Sequence, residues 1–364
     1  MNIKDFVKGF KNHPVLFIGT GISLRYLNNS YTWNGLLKKI AFDLYSNEEY
    51  YLDLKSKCYQ NGEYQYSKLA TFLEEDFNTE LAKNRNGKFK NVNDIFYENM
   101  SKDINLSRFK IYVSQLLSNL DIKTEMEHEI IELKKTRKNI SSIITTNYDE
   151  FIEHIFKFKP LIGNNILLSN PYGSVYKIHG CISEQDKMII TDNDYKSFLE
   201  RYELIRAQLL SLFIHNPIIF MGYSISDDNI KNILKTIFTY IQPNSEQSDE
   251  IVEHDIDMKE FSIIRINKLK TDSFTPLYSA ISDLNLPVSA MDIRKVQNVV
   301  KEIYSGGKIK VSITDDLDDV SNNDKILAIG STKTISYQYK NTSEMILNYF
   351  QIIDESNYQI LTLV

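Results

Sequence analysis

A histidine followed by a glycine, His179-Gly180, closes the apolar-alternating run Val175-Tyr176-Lys177-Ile178. An imidazole at a strand end, beside a residue without a Cβ, can reach a pocket and take a proton near pH 7. His13, His128, His154, His215 and His254 lack that setting and read as surface or satisfied core residues. A second polar signature, Thr145-Thr146-Asn147-Tyr148-Asp149, ends the apolar run Ile140-Ser141-Ser142-Ile143-Ile144. Thr145, Thr146 and Asn147 would turn polar groups into a crevice there. Asn147 is also a turn former, and Asp149 also suits the N-cap of a helical stretch from Glu150 to Phe158. A third, Gly19-Thr20-Gly21-Ile22-Ser23, follows Val15-Leu16-Phe17-Ile18. Its glycines would let backbone N–H groups approach a pyrophosphate. Leu24 stands where the dehydrogenase fingerprint has its third glycine, so a tight turn without a ligand explains the pair equally well. Gly222-Tyr223-Ser224 follows Ile218-Ile219-Phe220-Met221 and offers the Ser224 hydroxyl to a phosphate or ribose. A plain strand–helix turn capped by Ser226 is compatible with it.

These signatures need a scaffold that brings distant loops together. Parallel sheets do so, because ligands bind outside the carboxyl ends of their strands. Short β-branched runs alternate with amphipathic stretches from 139 to 300, as βαβ units require. The expected fold is α/β: a Rossmann-like doubly wound parallel sheet with a helical insertion and a small C-terminal β-rich module. The expected domains are 1–304, with the insertion at about 46–138, and 305–364. A short amphipathic helix is expected over residues 1 to 12. Leu36, Leu37, Ile40, Ala41 and Leu44 predict a helix from Trp33 to Tyr45. Within the insertion, Tyr64 to Phe77, Ile95 to Met100, Phe109 to Leu120 and Glu125 to Arg137 read as helices, with a basic break from Lys83 to Lys90. Tyr195 to His215 is expected as a helix capped by Asp192 or Asp194, and Ile225 to Tyr240 as another. Ser262 to Ile266 reads as a further buried strand ending at Asn267. Beyond Gly306 and Gly307, Lys308 to Ile313, Lys325 to Ile329 and Thr334 to Tyr339 are strand-like, and Ser343 to Tyr349 reads as a helix. Asp315 to Asp319 fits no calcium spacing and reads as a solvated turn.

Composition narrows the function. The chain has 364 residues, 42% of them hydrophobic, enough for a sizeable core. No apolar run approaches the ~18 residues of a membrane span. The mixed, charged stretch Met1 to Phe10 does not read as a secretory signal. A net charge of −6 argues against nucleic acid as the general partner. No carboxylate–metal cluster suggests nuclease chemistry. Cys58 and Cys181 are the two cysteines, too few for a disulfide framework or a four-cysteine zinc site. A reducing cytoplasm is the simplest compartment.

Taken in order, the signatures resemble the sirtuin superfamily, in particular its bacterial sirtuin-like NAD hydrolases of anti-phage defence. The glycine motif corresponds to Gly19-Thr20-Gly21-Ile22-Ser23, the T-T-N-Y-D motif to Thr145 through Asp149, the catalytic H-G to His179-Gly180 and the G-x-S to Gly222-Tyr223-Ser224. Trp33, Leu36 and Leu37 fit the W-x-x-L-L of that branch, and Asp227, Asn229 and Ile230 fit its D-x-N-I. Protein deacylases of the superfamily carry a four-cysteine zinc ribbon and a Pro-Phe-Arg loop. Both are missing here, and Arg25 does not take the place of that loop's arginine.

The resemblance implies an NAD glycohydrolase with water as acceptor. Asn147, His179 and Asp149 would be catalytic. Asn147 would hold the ribose or water, His179 would accept a proton, and Asp149 would bind the nicotinamide carboxamide. Gly19, Thr20, Gly21, Ser23, Thr146, Tyr148, Gly222, Ser224 and Asn267 would bind NAD. NAD is the substrate and no metal is expected. Implied partners are a homo-oligomer, a HerA-type ATPase or Argonaute-like protein, and a phage-derived trigger, without a membrane. A non-catalytic nucleotide sensor and an NAD-dependent protein deacylase are the alternatives.

Overall fold

The structure, a computed structural model, describes residues 3–168, 172–223, 230–231, 234, 251–258, 262–269, 271–304, 309–311 and 335–337. The chain divides into two compact units, Met1–Ala290 and Met291–Val364. Its strands are β1 (Val15–Ile18), β2 (Tyr59–Gln60), β3 (Glu63–Tyr64), β4 (Ile143–Thr145), β5 (Lys159–Ile162), β6 (Ser174–Lys177), β7 (Ile218–Met221), β8 (Ile251–Met258), β9 (Ser262–Leu269), β10 (Ile309–Val311) and β11 (Ile335–Tyr337). The first unit is built on a five-stranded sheet of order β5-β6-β4-β1-β7. Every pair in it is parallel, and Ile18 lies opposite both Thr145 and Met221, while Thr145 lies opposite Lys177. The apolar runs that end in the polar signatures are therefore the consecutive strands β6-β4-β1-β7. The fold is α/β with a Rossmann-like parallel sheet.

The α-helices described are α1 (Ile3–Lys8), α2 (Thr20–Tyr26), α3 (Trp33–Tyr45), α4 (Glu48–Lys57), α5 (Tyr66–Lys83), α6 (Lys90–Met100), α7 (Arg108–Leu117), α8 (Glu127–Lys135), α9 (Phe151–Phe156), α10 (Asp192–His215), α11 (Thr275–Ser282) and α12 (Ala290–Tyr304). Strand alternation sends Leu16, Ile18, Ile143 and Val175 to one face, where they pack with residues of α1, α2, α8, α9 and α11. Val15, Phe17, Ile144 and Tyr176 go to the other, against Phe198, Tyr202, Ile205, Leu209 and Leu212 of α10. Both faces are thus covered, as a parallel sheet requires. The stretch from α3 through α7 has a core of its own around Leu37, Leu69, Leu73, Phe77 and Phe109.

Several elements differ from expectation. The strand at Ser262 runs to Leu269 and pairs antiparallel with β8, outside the main sheet. Residues 259–261 alone separate the two strands, and a parallel crossover needs roughly a dozen residues. The cap of α10 is Thr191: its hydroxyl accepts from the Asp194 N–H and the Asp194 carboxylate accepts in return, while Asp192 is already helical. β5 was concealed by Pro160, which an edge strand tolerates. Among residues 225–240, Ile230, Lys231 and Leu234 are described and helical. In the second unit β10 and β11 pair parallel. Residues 325–329, 343–349 and the acidic run 315–319 lie outside the described residues. No helix among the described residues is long and apolar enough to cross a membrane.

Candidate functional site

The site is built where β1 ends. α2 starts at Thr20 directly after the strand, with Gly19 as its N-cap. One turn in, Ser23 is buried and its Oγ donates to Asp149 Oδ2 at 2.8 Å. The N-cap of α9 is Glu150 rather than Asp149; from one residue earlier, Asp149 Oδ1 accepts from the Phe151 N–H at 3.0 Å, so the same carboxylate ties the start of α9 to the β1 loop. Asn147 completes the cluster. Its Nδ2 donates to the Gly19 carbonyl at 3.1 Å and to Ser23 Oγ at 3.0 Å, and the Thr20 hydroxyl donates to its Oδ1 at 3.4 Å. The Asn147 N–H donates to Thr145 Oγ1 at 3.0 Å, and Thr146 beside it is half-buried.

His179 lies in the turn that follows the adjacent strand, β6. Thr145 and Lys177 are paired in register and the Ile178 N–H donates to the Thr145 carbonyl at 3.0 Å. Asn147 and His179 each follow that pair by two residues, so both sit at the carboxyl end of the sheet. His179 is 5% exposed, with its ring edge-on to Tyr195 and Phe198 of α10 at 5.6 and 6.1 Å. Its carbonyl accepts from the Ile189 N–H at 2.9 Å. Gly180 has φ +89°, and a Cβ there would lie 2.4 Å from the Lys187 carbonyl oxygen, so the turn after the histidine requires glycine. The Tyr148 hydroxyl donates to the Ile189 carbonyl at 2.5 Å, and the Ile182 N–H donates to the Tyr148 carbonyl at 3.1 Å. Tyr148 thus braces the histidine loop.

The glycines of β1 and β7 face each other. The Gly19 N–H donates to the Met221 carbonyl at 3.0 Å and the Gly21 N–H to the Gly222 carbonyl at 2.9 Å. A Cβ on Gly21 would lie 2.7 Å from Gly222 Cα, and one on Gly222, where φ is +59°, 2.4 Å from the Ile22 nitrogen. Their immediate job is this loop-to-loop approach. A pyrophosphate could take the two N–H groups only if the β7 loop withdrew. Ser224 lies outside the described residues. Asn267 lies in β9 opposite Glu253, and its side chain is outside what the structure describes.

Sequence reasoning missed several residues around the site. Lys177, wholly buried at the end of β6, pairs with Glu153 at 3.0 Å and donates to the Asp149 carbonyl at 2.5 Å. Its place in an apolar alternation was the available signal. Burial opposes its charge, but the Glu153 carboxylate, with Cys181 and Asp149 nearby, raises its pKa above the ordinary lysine value. Arg25 pairs with Glu129 of α8 through Nε at 2.6 Å and Nη2 at 2.9 Å, and the Tyr26 hydroxyl donates to the same carboxylate at 2.6 Å. Cys181, Ile182, Met188 and Ile190, on the loop after His179, belong to the core of the helical insertion.

A separate polar cavity of about 320 Å³ lies between α5, α7 and the start of α10, walled by Glu74, Asn78, Arg108, Lys110 and Asp194. Its cations have partners in the fold: Lys110 bonds Asp194 at 2.6 Å and the Met188 carbonyl at 2.8 Å, and Arg108 bonds Asn93 at 2.7 Å. None of the candidate site residues lines it. Among the described residues no group of three or more His, Cys, Asp or Glu could hold a metal ion.

Part of the chain is similar to known proteins. Residues 141–252, spanning β4 to β8, match the model of the SIR2-like domain. The chain is 24% identical over 267 residues to the NAD(+) hydrolase ThsA of Enterococcus faecium, covering 67% of this chain and 45% of that protein. It is 25% identical over 247 residues to the NAD(+) hydrolase ThsA of Cytobacillus dafuensis, covering 65% and 40%. It is 28% identical over 108 residues to defense-associated sirtuin 2 of Bacillus subtilis, covering 27% of this chain and 11% of that protein. The chain spans less than half the length of each of these relatives.

Proposed function

We propose that this chain is an NAD glycohydrolase that releases nicotinamide and ADP-ribose, and that it serves as a regulated effector of anti-phage defence. The observation that carries the proposal is the buried cluster of Asn147, Ser23 and Asp149, with His179 in the turn after the neighbouring strand at the same end of the sheet. The SIR2-like match and the NAD hydrolase relatives support it.

The bond to be cleaved joins the ribose C1′ to a cationic nicotinamide nitrogen. Its electron pair leaves with the nicotinamide, which departs neutral, and the sugar passes through an oxocarbenium-like state. Water then adds to C1′ and loses a proton. Groups that hold the ribose, grip the carboxamide and exclude bulk water stabilise that state over the ground state. In our assignment Asn147 holds the ribose or the attacking water, Asp149 the carboxamide, and His179 accepts the proton from water or a ribose hydroxyl. Gly19, Thr20, Gly21, Ser23, Thr146, Tyr148, Gly222, Ser224 and Asn267 surround the dinucleotide. Both amide hydrogens of Asn147 and both carboxylate oxygens of Asp149 have partners inside the fold, so NAD must share or displace some of those bonds.

Unrestrained hydrolysis would exhaust the host's NAD. We therefore assign a regulatory contact to the helical insertion, whose core includes residues of the His179 loop. A homo-oligomer and a partner such as a HerA-type ATPase or an Argonaute-like protein, released by a phage-derived trigger in the cytoplasm, complete the proposal. Incubating the protein with NAD, alone and with the products of neighbouring genes, tests it. Equimolar nicotinamide and ADP-ribose support hydrolysis. Binding without consumption points to a sensor, and nicotinamide release only with an acyl-lysine peptide to a deacylase.

A further inference from the structure

We propose that Lys177 is a positioning residue for this reaction: by gripping the Asp149 carbonyl, it locks the loop that carries Asn147 and Asp149 to the end of the strand that leads into His179. The inference rests on the NAD-cleaving reading above.

A lysine is the costliest ordinary residue to place at the centre of a parallel sheet. A fully buried ammonium loses its hydration and must be repaid by an opposite charge and good hydrogen bonds. Leucine or methionine would fill the position without that cost. The Lys177 side chain is 0% exposed, yet it reaches two partners on the segment that follows β4. The first is Glu153 on α9, at 3.0 Å, which balances the charge. A purely structural ion pair would stop there. The second is the main-chain carbonyl of Asp149, at 2.5 Å, the last residue of the Thr145–Asp149 signature.

The covalent distances on either side give this contact its leverage. Lys177, the last residue of β6, precedes His179 in the following turn by two residues, and Asp149 follows Asn147 by two residues on the same loop. One side chain therefore bridges the proton-accepting segment and the ribose-holding segment. Sheet hydrogen bonding alone fixes the two strands only as far as the Thr145–Ile178 bond. Beyond that point one backbone bond, from the Ile182 N–H to the Tyr148 carbonyl, joins the loop to the segment after His179, and side chains do the rest: Ser23 and Asn147 toward β1, Tyr148 toward the Ile189 carbonyl, and Lys177 beneath Asp149. Misplacing a reacting group by about 1 Å can cost about 10²-fold in rate.

The test separates the two bonds. In Lys177→Met/Glu153→Leu both buried charges go together, so no uncompensated ion remains. The expected result is a folded protein whose kcat for NAD cleavage falls about 10- to 100-fold while KM changes less than about threefold. Glu153→Gln, which keeps the lysine–carbonyl bond, should retain kcat within about threefold while losing thermal stability. Should the double variant fail to fold, Lys177→Arg serves in its place: it keeps the charge facing Glu153 but cannot set its fork on the Asp149 carbonyl as the ammonium does. A tenfold or larger loss of kcat at near-constant KM is then expected. Wild-type kcat in a folded Lys177 variant overturns this inference and leaves the proposed function standing. A wild-type protein that never releases nicotinamide overturns the proposed function and this inference with it.

Discussion

Ser23 holds the two motifs together at the level of single atoms. Its hydroxyl accepts from Asn147 and donates to Asp149, so both side chains depend on one oxygen. Ser23→Ala removes that oxygen and leaves Asp149 Oδ2 without its donor. Losing such a buried partner costs about 1–3 kcal/mol. Turnover should fall about tenfold alongside a lower melting temperature, on the lower edge of what positioning groups contribute. In our assignment His179→Ala and Asn147→Ala act on the chemistry itself and should each lower NAD cleavage about 10²-fold or more, a larger loss than that of Ser23→Ala; Asn147→Ala, which also leaves the buried Gly19 carbonyl and Ser23 hydroxyl without a donor, should lower the melting temperature as well. Initial rates of nicotinamide release, set beside thermal unfolding curves, check all three. Near-normal rates in both the His179 and Asn147 variants would remove the site assignment.

Among the elements, the turns after β1, β6 and β7 carry the arrangement. Gly222→Ala would place a Cβ against the Ile22 nitrogen at a positive φ, so the β1 and β7 loops could not keep their approach. Weaker NAD binding and a lower melting temperature are expected, measurable by calorimetry and thermal unfolding. Unchanged affinity would show that the β7 turn takes no part in the site. Much of this layer was legible in the chain. The runs at Val15, Ile143, Val175 and Ile218 announced strands because β-branched residues end abruptly in polar or glycine-rich turns. The helix from Trp33 to Tyr45 was legible from its apolar stripe. The strand order was not, since nothing local says that β6 slips between β5 and β4. The strand at Ser262 belongs to an antiparallel pair with β8 rather than to the parallel alternation, a difference the sequence does not show because an apolar run looks alike in either sheet. Lys177 was passed over because a charged residue inside an apolar alternation shows its purpose only when Glu153 and Asp149 arrive beside it.

At the scale of the whole first unit, a seam of charge joins three of the helices that pack on one face of the sheet. Glu129 of α8 accepts from Arg25 and Tyr26 of α2 and from the Phe274 N–H ahead of α11. Burial alone would raise its pKa. The hydrogen bonds from Arg25 and Tyr26 outweigh burial and hold the carboxyl below the usual glutamate value. A depressed folded-state pKa contributes stability above the ordinary carboxylate range, about 4.3, and that stability is lost as pH falls through it toward the folded value. Glu129→Gln should therefore lower the melting temperature near pH 7 and converge on the wild type below about pH 4. Glu153, pushed up by burial, titrates in the opposite sense, so the comparison belongs between these two proteins at each pH. A melting-temperature gap that is the same at every pH would show that Glu129 is not held ionised by this network.

The candidate residues matter only if their convergence does chemistry. The most direct test is to incubate the purified full-length protein and its His179→Ala variant with NAD, alone and with its genomic neighbours, and to quantify the products. We predict nicotinamide and ADP-ribose in equal amounts from the wild type under at least one of these conditions and almost none from the variant. NAD recovered intact under every condition, or consumed equally by both proteins, would contradict the account.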